Sequence, residues 1–558
     1  MTNAAIFMHP NAYDTSGAAL MGRHSAGESF VKGFIQHAAV DRFAFWNATS
    51  TPNATLETTL KALTPIKRPV DWIARDDRAG LSRTGAVFLP VPSVGQEAWT
   101  RRFAGPKAYS ITGVTHTTCT HRILDTVAQL VLSPTQPWDA LICTSRAVTA
   151  SLEVELESLD AFLRERVGAT KTPPIRLETI PLGLNTQDFS LEPKQRKAWR
   201  ERLNIPETDI VVLYVGRFSA NAKMNPIPMA MALEQAAKRT QQKIHWVQSG
   251  WSPSDAADKA YHDSTRAYCP SVQYHVVDGR LPDTRFTIWS VADIFFSLSD
   301  NIQETFGLTP LEAMAAGLPS VVSDWDGYKD TVRHGVDGFR VSTYAPRPGL
   351  GGDLAFRYEN NWTRYETYVG AASQFTAIDL DEAAQALLDL IENPTLRAHM
   401  GATARKRAQA VFDWKAVIPT YQALWGELAA IRASARAPAS TRAQSENPWR
   451  LDPFQMFANY PTEHLLPTTI ISLAPGGTNA ALKAVMKSPL VAYATSFFPA
   501  AHELETLVFR LTGARQMRVS ELLSDVPAAR RGRVERAILT LAKYGVVKIH
   551  ARSLTIPQ

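Results

Sequence analysis

Short apolar runs rich in β-branched and aromatic residues alternate with amphipathic stretches from the start of the chain to about Trp425. Six such runs predict strands in the first half: Ala4–His9, Phe43–Asn47, Ala86–Val91, Tyr109–Val114, Ala140–Thr144 and Arg176–Pro181. Five more follow at Ile210–Gly216, Lys243–Gly250, Val272–Asp278, Ala292–Leu298 and Ser320–Asp324. Strands that alternate with helices imply parallel sheets covered by helices on both faces. The charged stretch from Gln187 to Pro206 separates the two series. The expectation is an α/β protein with two facing parallel-sheet domains, residues 1–190 and 205–395, and a cleft at the carboxyl ends of their strands. Helical pattern over 396–432 completes this unit, with Asn393-Pro394 marking a break. Within the second domain, Tyr344 to Phe375 reads as an inserted loop rich in aromatic residues.

Residues 433–446 are small and polar and read as a flexible linker. Beyond them, Glu503–Leu511, Val519–Leu523 and Arg533–Lys543 predict three helices, closed by a strand at Val546–His550, so 447–558 forms a small, mostly helical third domain. Its expected core is Leu539, Leu541, Ala542 and Val546. Of the net charge of +6, thirteen Lys and Arg against seven Asp and Glu fall within 447–558. The linker adds one more positive charge, which leaves the first 432 residues near −1. The basic character belongs to the tail.

The 558 residues exceed what one hydrophobic core supports, and 45% hydrophobic with 20% charged residues is ordinary globular composition. No apolar run approaches the roughly 20 residues of a membrane span. The first ten residues read as a buried strand rather than a targeting segment. Cys119, Cys143 and Cys269 are too widely spaced for a disulfide framework or a zinc site, which suits the cytoplasm.

The chemistry concentrates between Ala292 and Phe339. A buried strand ends near Ser299, and a helix is expected from about Pro310, with Thr309 as N-cap and Leu311, Met314 and Ala315 as its apolar face. Gly317 and Pro319 end it. The preceding loop, Phe306-Gly307-Leu308, sets backbone N–H groups at a helix N-terminus, where a phosphate is the natural occupant. Gly307 lets the backbone approach that ligand closely. Glu304 and Glu312, with seven residues between them, suit a ligand rich in hydroxyls: Glu312 the ribose, Glu304 the sugar. One lies in a loop and the other on a helix, unlike the facing carboxylates of a glycosidase.

Glu304 through Glu312, followed by Ala-Met-Ala-Ala-Gly-Leu-Pro, resembles the E-x(7)-E signature of the retaining "group one" nucleotide-sugar glycosyltransferases of the GT-B fold, with Gly335 and Gly338 in register. The resemblance covers Ile210 to Trp425 well and the first 190 residues more weakly. It implies two facing Rossmann-like domains, and a retaining hexosyltransferase using a UDP-, GDP- or ADP-sugar donor and a glycan or lipid-linked acceptor. It assigns the donor diphosphate to Arg217 and Lys223 after the strand Ile210–Gly216, with Gly216 beside them. Met224 departs from the pattern, which has Gly after the Lys, and puts the local turn in doubt. Gly22, before a helical stretch, matches the family's glycine loop, although the usual Gly-Gly pair is absent. His116 matches a histidine near the donor sugar. Ser145 and Pro181–Asn185 match architectural positions. The catalytic set is then Glu304, His116, Arg217 and Lys223, and the donor-binding set is Gly22, Gly216, Arg217, Lys223, Phe306, Gly307, Leu308 and Glu312. No metal ligands stand out, and a front-face mechanism without metal or other cofactor is implied, the leaving phosphate helping to deprotonate the acceptor.

The tail looks similar to a winged-helix module with a basic face at Arg530, Arg531, Arg533 and Arg536. Two readings stay open for it: nucleic-acid binding, or, preferred, a regulatory or protein-interaction surface used for a partner or for self-association. Accordingly the competing reading of the whole chain is a sugar-nucleotide-sensing regulator with a nucleic-acid-binding tail. Trp99, Arg101, Arg102, Phe103 and Lys107 mix aromatic and basic side chains as membrane-interfacial segments do, which suggests peripheral contact at the inner membrane face. An ordinary exposed helix explains them equally well.

Overall fold

The computed structural model describes residues 3–13, 22–173, 175–189, 192–436 and 446–550. They fall into two compact units, Met1–Ser445 and Glu446–Gln558.

The first unit holds two parallel sheets. Strands β1 (Ala5–Met8), β2 (Phe43–Asn47), β3 (Val70–Ala74), β4 (Ala86–Leu89), β5 (Ser110–Val114), β6 (Ala140–Cys143) and β7 (Arg176–Thr179) lie in the order β3-β2-β1-β4-β5-β6-β7. Pairing is parallel throughout, with Ala5 opposite Ala44 on one side and Val87 on the other. All five residues of β2 and of β5 are buried, as expected where helices cover both faces. The second sheet orders β8 (Ile210–Arg217), β9 (Ile244–Trp251), β10 (Gln273–Asp278), β11 (Ile294–Ser297), β12 (Ser320–Ser323) and β13 (Gly338–Val341) as β10-β9-β8-β11-β12-β13, again parallel. These are two Rossmann-like α/β domains.

Two strands escaped the sequence pattern. β3 is an edge strand whose Asp71 and Ala74 are exposed, so it lacks a continuous apolar run. β13 opens on Gly338, where a Cβ would lie 2.1 Å from the Ser320 carbonyl oxygen, so a residue unfavourable to strands is required by close backbone approach.

The chain crosses back between the sheets near its end. Leu184 N–H donates to Phe412 O, and Trp414 N–H donates to Leu184 O. The helix Trp414–Ser434 then packs on the first sheet, burying Trp414, Tyr421, Trp425 and Leu428 among Phe30, Phe34 and Phe88. Trp414 Nε1 donates to Ser29 Oγ at 2.7 Å and Trp425 Nε1 to Thr112 Oγ1 at 3.1 Å. Gly33 and Gly183 make room for the Trp414 indole, which a Cβ at either would meet inside 2.7 Å. The first domain therefore depends on residues 414–434. A chain ending at Arg436 is expected to keep a cooperative melt. One ending before Trp414 loses several buried aromatic side chains, each worth about 3–5 kcal/mol, and should fail to fold. Circular dichroism melts of the two chains check this.

The expected aromatic loop is instead ordered. It forms two helices, Gly352–Glu359 and Tyr365–Gln374, closed at the base by antiparallel pairing of Thr343–Tyr344 with Ala377–Ile378. Of the proposed linker, residues 433 and 434 extend the preceding helix, and 437–445 lie outside the described residues.

The second unit has its own core, with Ile471, Leu504, Leu507, Leu511, Val519, Ile538, Leu541 and Val546 among its members. The three expected helices occur as Ala501–Ala514, Val519–Leu522 and Ala528–Lys543, followed by the strand Val547–His550. Ile470–Leu473 and Gln516–Arg518 join that strand in a three-stranded antiparallel sheet, and Asn479–Lys487 adds a helix. Leu539, expected in the core, is 44% exposed. Val534, Ala537, Ile538 and Leu541 form the inward stripe of its helix at i, i+3, i+4 and i+7, which turns position 539 outward. No helix among the described residues is long and apolar enough to cross a membrane.

Candidate active site

The site forms where β8 and β11 end. After Arg217, Phe218 is buried, and the chain turns so that Lys223 and Met224 N–H both donate to Ser219 O. Met224 is buried beside Met229 and Tyr214 and lies outside the left-handed region, so this turn works without the expected glycine. Asn225 caps the following helix, Pro226–Ala237, accepting from Ile227 N–H at 3.0 Å.

The loop after β11 is stitched to that turn. Asn301 Nδ2 donates to Asn221 O at 2.9 Å and to Ser373 Oγ at 3.0 Å, and Gln303 Nε2 donates to Ala222 O at 2.8 Å. Lys223 Nζ lies 2.9 Å from Glu304 Oε2. Burial pushes the Glu304 carboxyl up, but Lys223 and the backbone N–H groups of Thr305 and Phe306 outweigh it and hold the group below its ordinary range. The Arg217 guanidinium, half-buried nearby, makes no hydrogen bond or ion pair with another described residue.

Gly307, not Thr309, caps the next helix, Leu308–Ala315, at φ +82°. A Cβ there would lie 2.1 Å from the Tyr328 ring. Tyr328 packs into the space glycine leaves, with its hydroxyl 3.2 Å from Ser297 Oγ. Phe306 is buried against Phe412, and Gly327 lets the backbone pass against it. Leu308 thus begins the helix, and Thr309 falls in its first turn. Glu312, one turn on, has its carboxyl pushed up to about 7 by burial, with Arg285 opposing.

Across the cleft, the ends of β5 and β6 meet this loop. The Thr305 hydroxyl donates to the His116 carbonyl. Ser145 Oγ donates to Thr305 O at 2.8 Å and caps the helix Arg146–Val167 by accepting from Val148 N–H. Arg146 N–H and Nε hold Asp330 at 2.7 and 2.6 Å. The His116 ring sets Nε2 3.0 Å from Pro90 O. Glu304, Lys223 and the backbone of His116 are therefore brought together. Gly22 opens the helix Gly22–His37, while Leu20 and Met21 and the side chains of Arg23 and His24 lie outside the described residues.

Three residues here went unnoticed in the sequence. Asn301 and Gln303 brace the Glu304 loop. Asp326 sits at φ +45° with Oδ1 3.4 Å from Ser145 Oγ and Oδ2 buried without a described partner. Burial, and then the neighbouring Glu304 charge, push its carboxyl well above the ordinary range. The only local signal was an Asp-Gly pair after a strand.

The membrane-interfacial reading of 99–107 fails on two of its cations. Arg101 is fully buried, bound by both guanidinium NH groups to Asp139. Lys107 Nζ caps the helix Trp414–Ser434 by donating to Ala435 O at 2.5 Å. Residues three and four apart on the helix Val94–Arg101 face the sheet, and Arg101 shares that face with Val94 and Ala98.

Residues 195–347, which include Arg217, Lys223, Glu304, Gly307 and Glu312, match the family model described as glycosyl transferases group 1. The chain is similar to the D-inositol 3-phosphate glycosyltransferase of Thermobispora bispora, 29% identical over 196 residues, which cover 33% of this chain and 43% of that protein. It is also similar to the lipopolysaccharide 1,2-N-acetylglucosaminetransferase of Salmonella typhimurium, 24% identical over 196 residues, covering 35% and 49%. The chain thus spans about half the length of the curated relatives it matches. Among solved structures, Anabaena Alr3699/HepE in complex with UDP and glucose aligns with a TM-score of 0.49 at 14% identity, over 76% of this chain and 100% of that one.

Proposed function

We propose that this chain is a glycosyltransferase that moves a hexose from a nucleoside-diphosphate sugar to a glycan or lipid-linked acceptor with retention of configuration. The observation that carries the reading is the convergence of Lys223, Glu304 and the Gly307 helix N-terminus at the ends of β8 and β11, facing His116 and Ser145. Lys223 gives one of its three N–H donors to Glu304 and keeps two for a diphosphate. Arg217 and the helix N-terminus add fixed positive charge where the leaving group gains negative charge. The bond from C1 to the phosphate oxygen breaks as the acceptor oxygen bonds C1 on the same face, and the acceptor proton passes to the departing phosphate. Glu304 positions sugar hydroxyls, and Glu312 takes the ribose.

These cations suffice without a divalent metal in this reading. Turnover of UDP-, GDP- or ADP-glucose is expected to persist in EDTA, and complete loss restored by magnesium or manganese overturns it. On the tail's basic face, Arg530 pairs with Glu503, Arg531 donates to Val526 O and Arg533 to Ser496 O, which leaves Arg536 exposed and weakens the competing sensor reading. A regulatory or protein-binding role suits that module better.

Glu312 gives the reading a pH signature. Its carboxyl, raised to about 7, is a carboxylate above that pH and a weaker acceptor for ribose hydroxyls below it. Nucleoside-diphosphate affinity is expected to fall as pH drops from 8 to 6. In Glu312→Gln it should be about tenfold weaker at pH 8, a loss of roughly 1.4 kcal/mol, and lack this component. Calorimetric titration of both proteins at the two pH values separates Glu312 from protonation of the diphosphate itself.

A further inference from the structure

The helical insert reaches from the second domain onto the loop that follows His116. The Tyr365 hydroxyl lies 3.3 Å from both Thr117 Oγ1 and Cys119 Sγ. Tyr358 accepts from His121 N–H at 3.2 Å and packs on the His121 ring at 3.8 Å between centroids. Tyr368 stacks on Tyr358 at 4.3 Å with planes 5° apart, which fixes its ring. Beyond this contact an open cavity of about 620 Å³ runs between the helices His121–Leu132 and Arg146–Val167. That volume lies within the ~300–1,000 Å³ of ligand sites.

Its lining has a definite chemistry. Tyr368 and Phe162 supply aromatic surface beside the aliphatic Leu124, Leu152, Val154 and Leu159, and Phe162 is 58% exposed. Thr118, Ser151 and Ser158 supply hydroxyls. Glu155 supplies a carboxyl that makes no hydrogen bond or ion pair with another described residue. Burial, with Asp125 adding, pushes that carboxyl up to about 7. No Lys or Arg lines the cavity among the described residues. Flat aromatic surface beside hydroxyls and one carboxyl complements the apolar C–H faces and hydroxyl edges of sugar rings. The absence of cations from the lining disfavours phosphate or carboxylate groups. Thr118 and Cys119 join the cavity to the cleft, because His116, two residues before Thr118, is hydrogen-bonded to the loop that carries Glu304.

We propose that this cavity binds the further sugar residues of an uncharged or amino-bearing oligosaccharide acceptor, beyond the one that is glycosylated; the acceptor role rests on the transferase reading of the cleft. The insert then sets acceptor preference, since Tyr368 belongs to it.

The test uses the full chain on immobilised malto-, cello-, manno- and chito-oligosaccharides of two to six units, beside phosphorylated sugars and phosphatidylcholine vesicles. Retention on at least one uncharged or amino-bearing series is expected, rising from two to four units, without donor. Phe162→Ala, Tyr368→Ala and Glu155→Gln should each weaken it about tenfold, as for loss of a good polar or packing contact. Phe162 and Glu155 make no hydrogen bond, ion pair or ring contact with another described residue, so those variants keep the test sound if Tyr368→Ala misfolds. No retention on any neutral series, retention unchanged by the variants, or preference for phosphorylated sugars or vesicles overturns the proposal. Donor hydrolysis by the unmodified chain is read separately. Retention without hydrolysis sinks the transferase reading but upholds glycan binding, and hydrolysis without retention does the reverse.

Discussion

Lys223→Ala is expected to lower donor turnover by about 10²–10³-fold, the range for loss of one preorganised contact to developing charge. The structure gives this variant a second consequence that Arg217→Ala should lack. Lys223 is the side-chain cation on Glu304, and burial pushes the other way. With Lys223 present the folded-state pKa is depressed, so the carboxylate persists well into the acid range. Without it, burial dominates and the pKa rises, so residual turnover should decline at higher pH than in the unmodified chain. Arg217 makes no ion pair with Glu304, so Arg217→Ala should cost a similar factor in kcat with the acid limb left in place. Donor hydrolysis measured from pH 5 to 9 on both variants checks the pair. Near-normal turnover in either removes that residue from the mechanism, and identical acid limbs remove the Lys223–Glu304 coupling.

The parts of this molecule that were legible in the sequence are those where one physical demand dominates. The inner strands β1, β4, β6, β8 and β11 announce themselves because helices cover both faces and nearly every position is apolar. The loop Phe306-Gly307-Leu308 is legible because only glycine tolerates the left-handed turn that admits Tyr328. Where two demands compete the pattern misleads. Arg101 looks like a surface cation, because its partner Asp139 is thirty-eight positions away and no local signal joins them. Met224 looks like a broken motif because the motif is read one residue at a time, whereas the turn is held by Ser219 O and by Met224 burial. The aromatic insert reads as a loop because its tyrosines serve contacts across the cleft rather than a helix-spaced core. Asn301, Gln303 and Asp326 were invisible for the same reason: their roles exist only between segments.

The largest expected effect of a single substitution on stability is at Asp139. Its carboxylate binds Arg101 through two NH groups at 2.5 and 2.7 Å and also accepts from Ile111 N–H at 2.9 Å and Gln136 N–H at 2.8 Å. Arg101 is 0% and Asp139 4% exposed, so neither charge has water to fall back on. Asp139→Ala leaves a buried guanidinium unpaired, which costs about 3–5 kcal/mol. Arg432 worsens the outcome, because it is buried close enough for Arg101 to repel it and for Asp139 to relieve that repulsion. Arg101→Met combined with Asp139→Asn removes both charges and keeps a carbonyl for the Ile111 amide, so it should recover roughly half of the loss. The consequence reaches the cleft. Arg101 also donates to Tyr109 O just before β5, and Asp139 stands just before β6. The far ends of these strands lead to His116 and Ser145, so the ion pair sets the positions of the residues that meet Thr305. Urea unfolding should show the large loss in Asp139→Ala and the partial recovery in the double variant. A single variant as stable as the unmodified chain would mean that Arg101 finds water or another anion, and the pair would then not anchor the two strands.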